Sequence, residues 1–150
     1  MFQRILIASD GSKHSEFAAR VGVDLAKMSG GKVTAVYVVD KARTIGSIGE
    51  SGYDVAPDVA DGTRLGLQKE GNNAVSYIEN LAKSSGVSVE SKILIGSPAN
   101  EILKESEKNL VDSIVIGSIG QTGITKFLLG SVAEKVVRGS KVPVVVVPGA

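Results

Sequence analysis

Short apolar runs and longer periodic stretches alternate along this chain. Residues 5–9 (ILIAS) form a brief continuous apolar run, the pattern of a strand buried on both faces. Asp10-Gly11-Ser12 breaks it. From Ser15 onward Phe17, Val21, Leu25 and Met28 recur at three- and four-residue spacing, which predicts a helix with these residues along one face. Ser29-Gly30-Gly31 stops that helix. Residues 33–39 (VTAVYVV) are rich in β-branched side chains and predict a second buried strand.

The stretch from about 40 to 62 has no clear period and is rich in Gly, Ser and Asp, so it reads as a long variable connecting loop. Leu67, Ala74, Ile78 and Leu81 then support a helix over residues 65–85, with Gly71 its weak point. Residues 88–95 predict a third strand. Pro98 suits the first turn of the next helix, to about Lys108. Residues 113–116 predict a fourth strand, a glycine-rich stretch follows from Gly117 to Gly130, and residues 131–138 predict a short helix. The last strand is expected from Val142 to Val147 (VPVVVV). Strict strand–helix alternation calls for one α/β domain over residues 1–150, an open five-stranded parallel sheet with helices on both faces, Rossmann-like. The alternation does not fix the strand order.

Composition narrows the function. A chain of 150 residues, 43% hydrophobic and 22% charged, can build a core without staples. A formal charge of +1 gives no reason to expect nucleic acid or an anionic membrane as partner. The absence of cysteine rules out thiolate chemistry, and the single histidine, His14, rules out a multi-histidine metal site. The N-terminal apolar run is too short for a secretion signal, and no apolar stretch approaches the ~20 residues of a membrane span. A cytoplasmic location is expected.

Three strands end alike, in ILIAS-Asp10, ILIGS-Pro98 and IVIGS-Ile119. Ligands of open parallel sheets bind outside the carboxyl ends of the strands, and small residues there, such as Ala8 and Ser9, let a ligand approach the backbone. The loop from Gly117 to Ser131 is more specific. Gly117 and Gly120 can turn amides inward, and Gly130-Ser131 opens a helix whose N-terminus favours an anion. A glycine-rich turn with a serine cap is the alternative reading. Neither G-x-x-x-x-G-K-[ST] nor G-x-G-x-x-G after the first strand occurs, which excludes a P-loop NTPase and an ordinary dinucleotide fold.

Gly117-x-x-Gly120-x9-Gly130-Ser131 resembles the G-2x-G-9x-G-[ST] pattern of ATP-binding universal stress proteins. Flanking segments are similar as well: ILIASDGS at residues 5–12, YVVD at 37–40, GSP at 96–98, DSIVIGS at 112–118, LLGSVAE at 128–134 and VPVVVV at 142–147. The resemblance implies the adenine nucleotide alpha hydrolase-like variant of the fold. It implies ATP, often with a divalent ion such as Mg2+ or Mn2+. Asp10 would contact the ribose by its carboxylate and Val38 the adenine by its backbone. Gly117, Gly120, Gly130 and Ser131 would hold ribose and phosphates, with Ser118 and Val132 lining the site. It further implies a homodimer paired through the last strand, a role that suits an apolar edge strand. Many relatives carry a cation where this chain has Ile119 and Gln121, and Lys126 is the nearest loop cation, so the phosphates would depend more on amides.

Other readings stay open at this stage. Asp10 could be a metal ligand or the cap of the first helix. His14 reads as a solvated residue, Asp112 as a turn residue, and Tyr37 and Phe127 as packing residues, with a border of the adenine pocket the alternative for either. The spacing of Asp54, Asp58 and Asp61 is not that of a calcium loop. The leading function is an ATP-binding regulatory or sensor module with little intrinsic hydrolysis. The rivals are a slow ATP hydrolase or nucleotidyl-transferring enzyme, a receiver-like phosphotransfer domain and a ligand-free dimeric interaction protein. The receiver reading fails at the third strand, which ends in Ile95-Gly96, and at Lys141, which precedes the last strand.

Overall fold

The apolar runs become strands of one sheet in the computed structural model, which describes residues 1–45, 57–119 and 129–149. The strands are β1 (Arg4–Ala8), β2 (Lys32–Asp40), β3 (Ser88–Gly96), β4 (Ser113–Gly117) and β5 (Val144–Val147). All pair in parallel, in the order β3-β2-β1-β4-β5. The helices between them are α1 (Lys13–Ser29), α2 (Lys41–Ile45), α3 (Pro57–Ser84), α4 (Pro98–Lys108) and α5 (Ser131–Gly139). The result is an open α/β fold of the Rossmann-like kind.

Alternate side chains of the central strands feed two cores, because successive residues of a strand point to opposite faces. Ile5, Ile7, Tyr37 and Val115 pack under α1 and α3, whereas Leu6, Ala8, Val36, Ile114 and Ile116 pack under α4 and α5. Ile5, Leu6 and Ile7 are at most 1% exposed, which explains why β1 reads as a continuous apolar run.

Three expectations change. The face of α1 pressed on the sheet is Ala18, Ala19, Gly22, Val23 and Ala26, not Phe17, Val21, Leu25 and Met28. Gly22 sits so near the sheet that a Cβ would come within 2.6 Å of Ile7 Cδ1, so small residues mark the contact. Val21 and Leu25 pack at its border, and Met28 is 84% exposed. The stretch read as a loop from 40 to 62 carries helix at both ends, α2 and the start of α3. The last strand begins at Val144, because Ser140 Oγ and the Val142 backbone bond to one another in a turn and Pro143 has no N–H to add to a ladder.

Gly120, Gln121, Lys126, Phe127 and Asp54 lie outside the described residues.

Candidate functional site

The chain runs from β1 outward to β2 and β3, then returns to place β4 and β5 on the other side of β1. The reversal leaves a crevice between the carboxyl ends of β1 and β4, the place where such sheets bind ligands. A cavity of about 530 Å3 occupies it. Ala8, Ser9 and Asp10 line it from β1, and Val38 from β2. Gly117 and Ser118 line it from β4, and Gly130, Ser131 and Val132 from the start of α5. Its apolar wall belongs to the core under α4 and α5 and includes Val36, Ile102 and Ile116.

The β1–α1 turn is held by its own side chains. Ser12 caps α1, its Oγ accepting from the Ser15 amide at 3.2 Å. Ser9 Oγ accepts from the Gly11 amide and stands 3.0 Å from Ser15 Oγ. Gly11 has φ +81°, a conformation glycine adopts without strain. Asp10 is therefore not the helix cap. Its Oδ1 accepts from the Ser12 amide at 2.9 Å, which fixes the half-buried carboxylate at the cavity wall.

The β4–α5 turn is built differently. Ser118 extends the sheet by donating its amide to Val147 O at 2.9 Å. The Gly130 amide donates to Ser118 O at 2.7 Å and ties the two ends of the glycine-rich stretch together. Gly130, not Ser131, is the cap residue of α5, and among the described residues no side chain caps this helix. The amides at the first turn of a helix have no intrahelical acceptor. Here that turn, Ser131 to Ala133, lines the cavity. The arrangement presents backbone donors and the positive end of a helix dipole to whatever enters. Gly117 brings β4 close to α1, since a Cβ there would lie 3.4 Å from His14 O.

The universal stress protein family model matches residues 1–148. The chain belongs to the universal stress protein family. It is 36% identical over 147 residues to universal stress protein MJ0531 of Methanocaldococcus jannaschii, covering 98% of this chain and 82% of that one. It is also 31% identical to MJ0577 of the same organism, over 98% of this chain and 95% of that one. The solved structure of MJ0577 gives a TM-score of 0.84 at 28% identity, covering 100% of this chain and 98% of that one. A universal stress protein from Archaeoglobus fulgidus, solved in complex with dAMP, shares the fold at a TM-score of 0.68 and 20% identity, with 98% of this chain and 99% of that one covered.

Within this universal stress protein, some candidate residues fall outside the cavity. Asp112 is structural: its Oδ2 accepts from the Gln3 and Arg4 amides and ties the start of β1 to that of β4. His14 is half-buried on the first turn of α1 and does not line the cavity. Among the described residues no group of three or more His, Asp or Glu stands together as a metal cage. No helix among them is long and apolar enough to cross a membrane.

Among the lining residues that the sequence reading gave no role are Asp40, the last residue of β2, and Arg43 in α2. Both sit in the stretch read as a loop, which offered no period to find them by. Tyr37 also lines the cavity and is 3% exposed. Burial, with the Glu70 charge as the next cause, pushes its phenol above the ordinary value of 10.0.

Proposed function

We propose that this protein binds ATP as a regulatory or sensor module and turns it over slowly or not at all. The carrying observation is the first turn of α5, which no side chain among the described residues caps and which lines the cavity together with Asp10. In this reading the phosphates lie on the amides of Ser131, Val132 and Ala133, with Gly117, Ser118 and Gly120 completing the loop. The Gly130 amide, already bonded to Ser118, shapes the turn instead of gripping the ligand. Asp10 accepts from the ribose hydroxyls. The base lies in the apolar slot of Val36, Val38 and Ile102, within hydrogen-bond reach of the Val38 backbone. The dAMP complex of the Archaeoglobus relative supports an adenine nucleotide as the ligand class.

The placement of the described ionisable groups supports the slow-turnover reading. Phosphoryl transfer needs a group that orients the nucleophile and charge on the transferred phosphoryl. Among the described lining residues the titratable side chains are Asp10, Tyr37, Asp40 and Arg43, in the β1–α1 turn, β2 and α2. None stands at the α5 end. A divalent ion, Mg2+ or Mn2+, would be carried in on the phosphate oxygens with water completing its shell.

We also propose a homodimer through β5. This strand lies at the sheet edge, paired on one side only, and Val144, Val145 and Val146 are each half-buried within the monomer. A second copy would cover both the open ladder and these valines. Val145→Lys should then convert the dimer to monomer in light scattering.

The deciding experiment is to denature freshly purified protein and identify what is released by mass spectrometry, then titrate the emptied protein with Mg-ATP. Intact ATP and a calorimetric binding signal are expected, and Asp10→Ala should weaken binding. An empty protein that ignores Mg-ATP would leave the glycine-rich turn a purely structural element. Rapid steady-state hydrolysis, abolished by Asp10→Ala, would make the protein an enzyme.

A further inference from the structure

The end of β2 carries a cation into the cavity. Asp40 pairs with Gly96 of β3, and its Oδ1 accepts from the Ala42 amide at 2.9 Å, which starts α2. Three residues on from Asp40, Arg43 lines the cavity, the only cationic side chain to do so among the described residues. Its Nη1 lies 3.9 Å from Glu70 Oε2 on α3. Glu70 in turn accepts from the Tyr37 hydroxyl at 3.3 Å. Gly71 explains how α3 comes this near, since a Cβ there would meet Tyr37 Cδ1 at 2.8 Å. A buried tyrosine thus places a glutamate, and the glutamate places a guanidinium at the cavity rim. The Arg43 and Glu70 side chains are 49% and 50% exposed, so a pair this long adds little to stability. What it does is hold a planar group in place.

The surroundings decide which part of a nucleotide Arg43 meets. β1 separates β2 from β4, so Arg43 and the α5 turn stand on opposite sides of the crevice. Glu70 stands beside Arg43, and Asp10 and Asp40 line the same cavity, so the acidic groups at this end disfavour a phosphate there. The cavity wall near β2 is apolar, formed by Val36, Val38, Pro98 and Ile102. An apolar slot rimmed by a guanidinium suits an uncharged aromatic ring, because guanidinium stacks on π-faces while its edge bonds to carboxylates.

We propose that Arg43 forms the outer wall of the base subsite, stacking on the purine, with Glu70 and Tyr37 as the residues that position it. The proposal rests on the nucleotide reading above. Its test is calorimetry with adenosine and with Mg-ATP on wild type, Arg43→Ala, Arg43→Lys and Glu70→Gln, each checked by thermal melting. Arg43→Ala should lower affinity for both ligands by the same factor, about tenfold. Arg43→Lys should recover little, because an ammonium has no plane to stack. Glu70→Gln should cost a smaller factor for both ligands, with the melting temperature unchanged. Unaltered adenosine binding by Arg43→Ala, or a loss confined to ATP and restored by lysine, overturns the proposal while leaving the nucleotide reading intact. Wild-type protein that binds neither ligand overturns both.

Discussion

α1 and α5 both leave the carboxyl end of a central strand and both point their N-termini at the crevice, yet the chain finishes them in opposite ways. At α1 the hydroxyl of Ser12 accepts the Ser15 amide, and Ser9, Asp10 and Ser15 knit the rest of the turn. At α5 the cap is Gly130, which has no side chain to offer, and among the described residues nothing closes the helix end toward the cavity. α4 is a third case, with Pro98 in the first turn, so one amide donor is missing there and an apolar ring lines the wall instead. A helix start closed by its own serine is part of the scaffold. A helix start left open in a cavity stores unsatisfied donors for an anion.

Closing the open end should have the largest effect. Gly130 has φ −59° and ψ 152°, which any residue adopts, so Gly130→Asp can supply α5 with the cap it lacks. ATP affinity should fall at least about a hundredfold, since like charges some 4 Å apart near a protein surface repel by about 4 kcal/mol. The melting temperature should hold or rise, because an acidic cap helps a helix by a few tenths of a kcal/mol to about 1 kcal/mol. Loss of binding together with loss of stability would mean that Gly130 serves the fold.

The two serines should then part company. Ser12→Ala removes a working cap and should cost about 1 kcal/mol, a drop of about 2–4 °C in melting temperature, with ATP affinity unchanged. Ser131→Ala removes a hydroxyl that is not the helix cap and should shift stability by less than about 0.5 kcal/mol while weakening ATP binding several-fold. Equal stability losses in the two variants would erase the contrast.

The smallest effect is alkaline. The folded pKa of Tyr37 is raised above 10.0, chiefly by burial, so the unfolded chain loses that proton first. The stability it contributes is fully present below about pH 10 and fades as pH climbs through the folded value. Lys92, raised above 10.5 chiefly by its hydrogen bond to Glu105, adds a slope of the same sign. Tyr37→Phe should flatten the alkaline limb of a melting-temperature profile in part, and Ser12→Ala and Ser131→Ala should not alter its shape.

Much of the scaffold was legible because buried parallel strands are near-continuous apolar runs, and residues 5–9, 33–39 and 113–116 are such runs. The strand order was not, since alternation of elements is the same for every doubly wound sheet. The face of α1 misled for a definite reason. Large apolar residues dominate a helical pattern, but a helix lying tight on a sheet wants alanine and glycine at the contact, and Gly22 against Ile7 is that contact. The glycine spacing from Gly117 to Ser131 pointed to an anion site and to the family. It did not reveal that the Gly130 amide is spent on Ser118 or that Gly130 is the cap. Arg43 went unseen because its position depends on Tyr37 and Glu70, neighbours brought together by the sheet and by Gly71.

Titration of isotope-labelled protein with Mg-ATP, followed by amide resonances, is the most direct measurement. The amides of Ser131, Val132 and Ala133 should shift first and furthest, while those of Ser12 to Ser15 move little. Saturable binding that leaves the first turn of α5 unmoved would contradict the account.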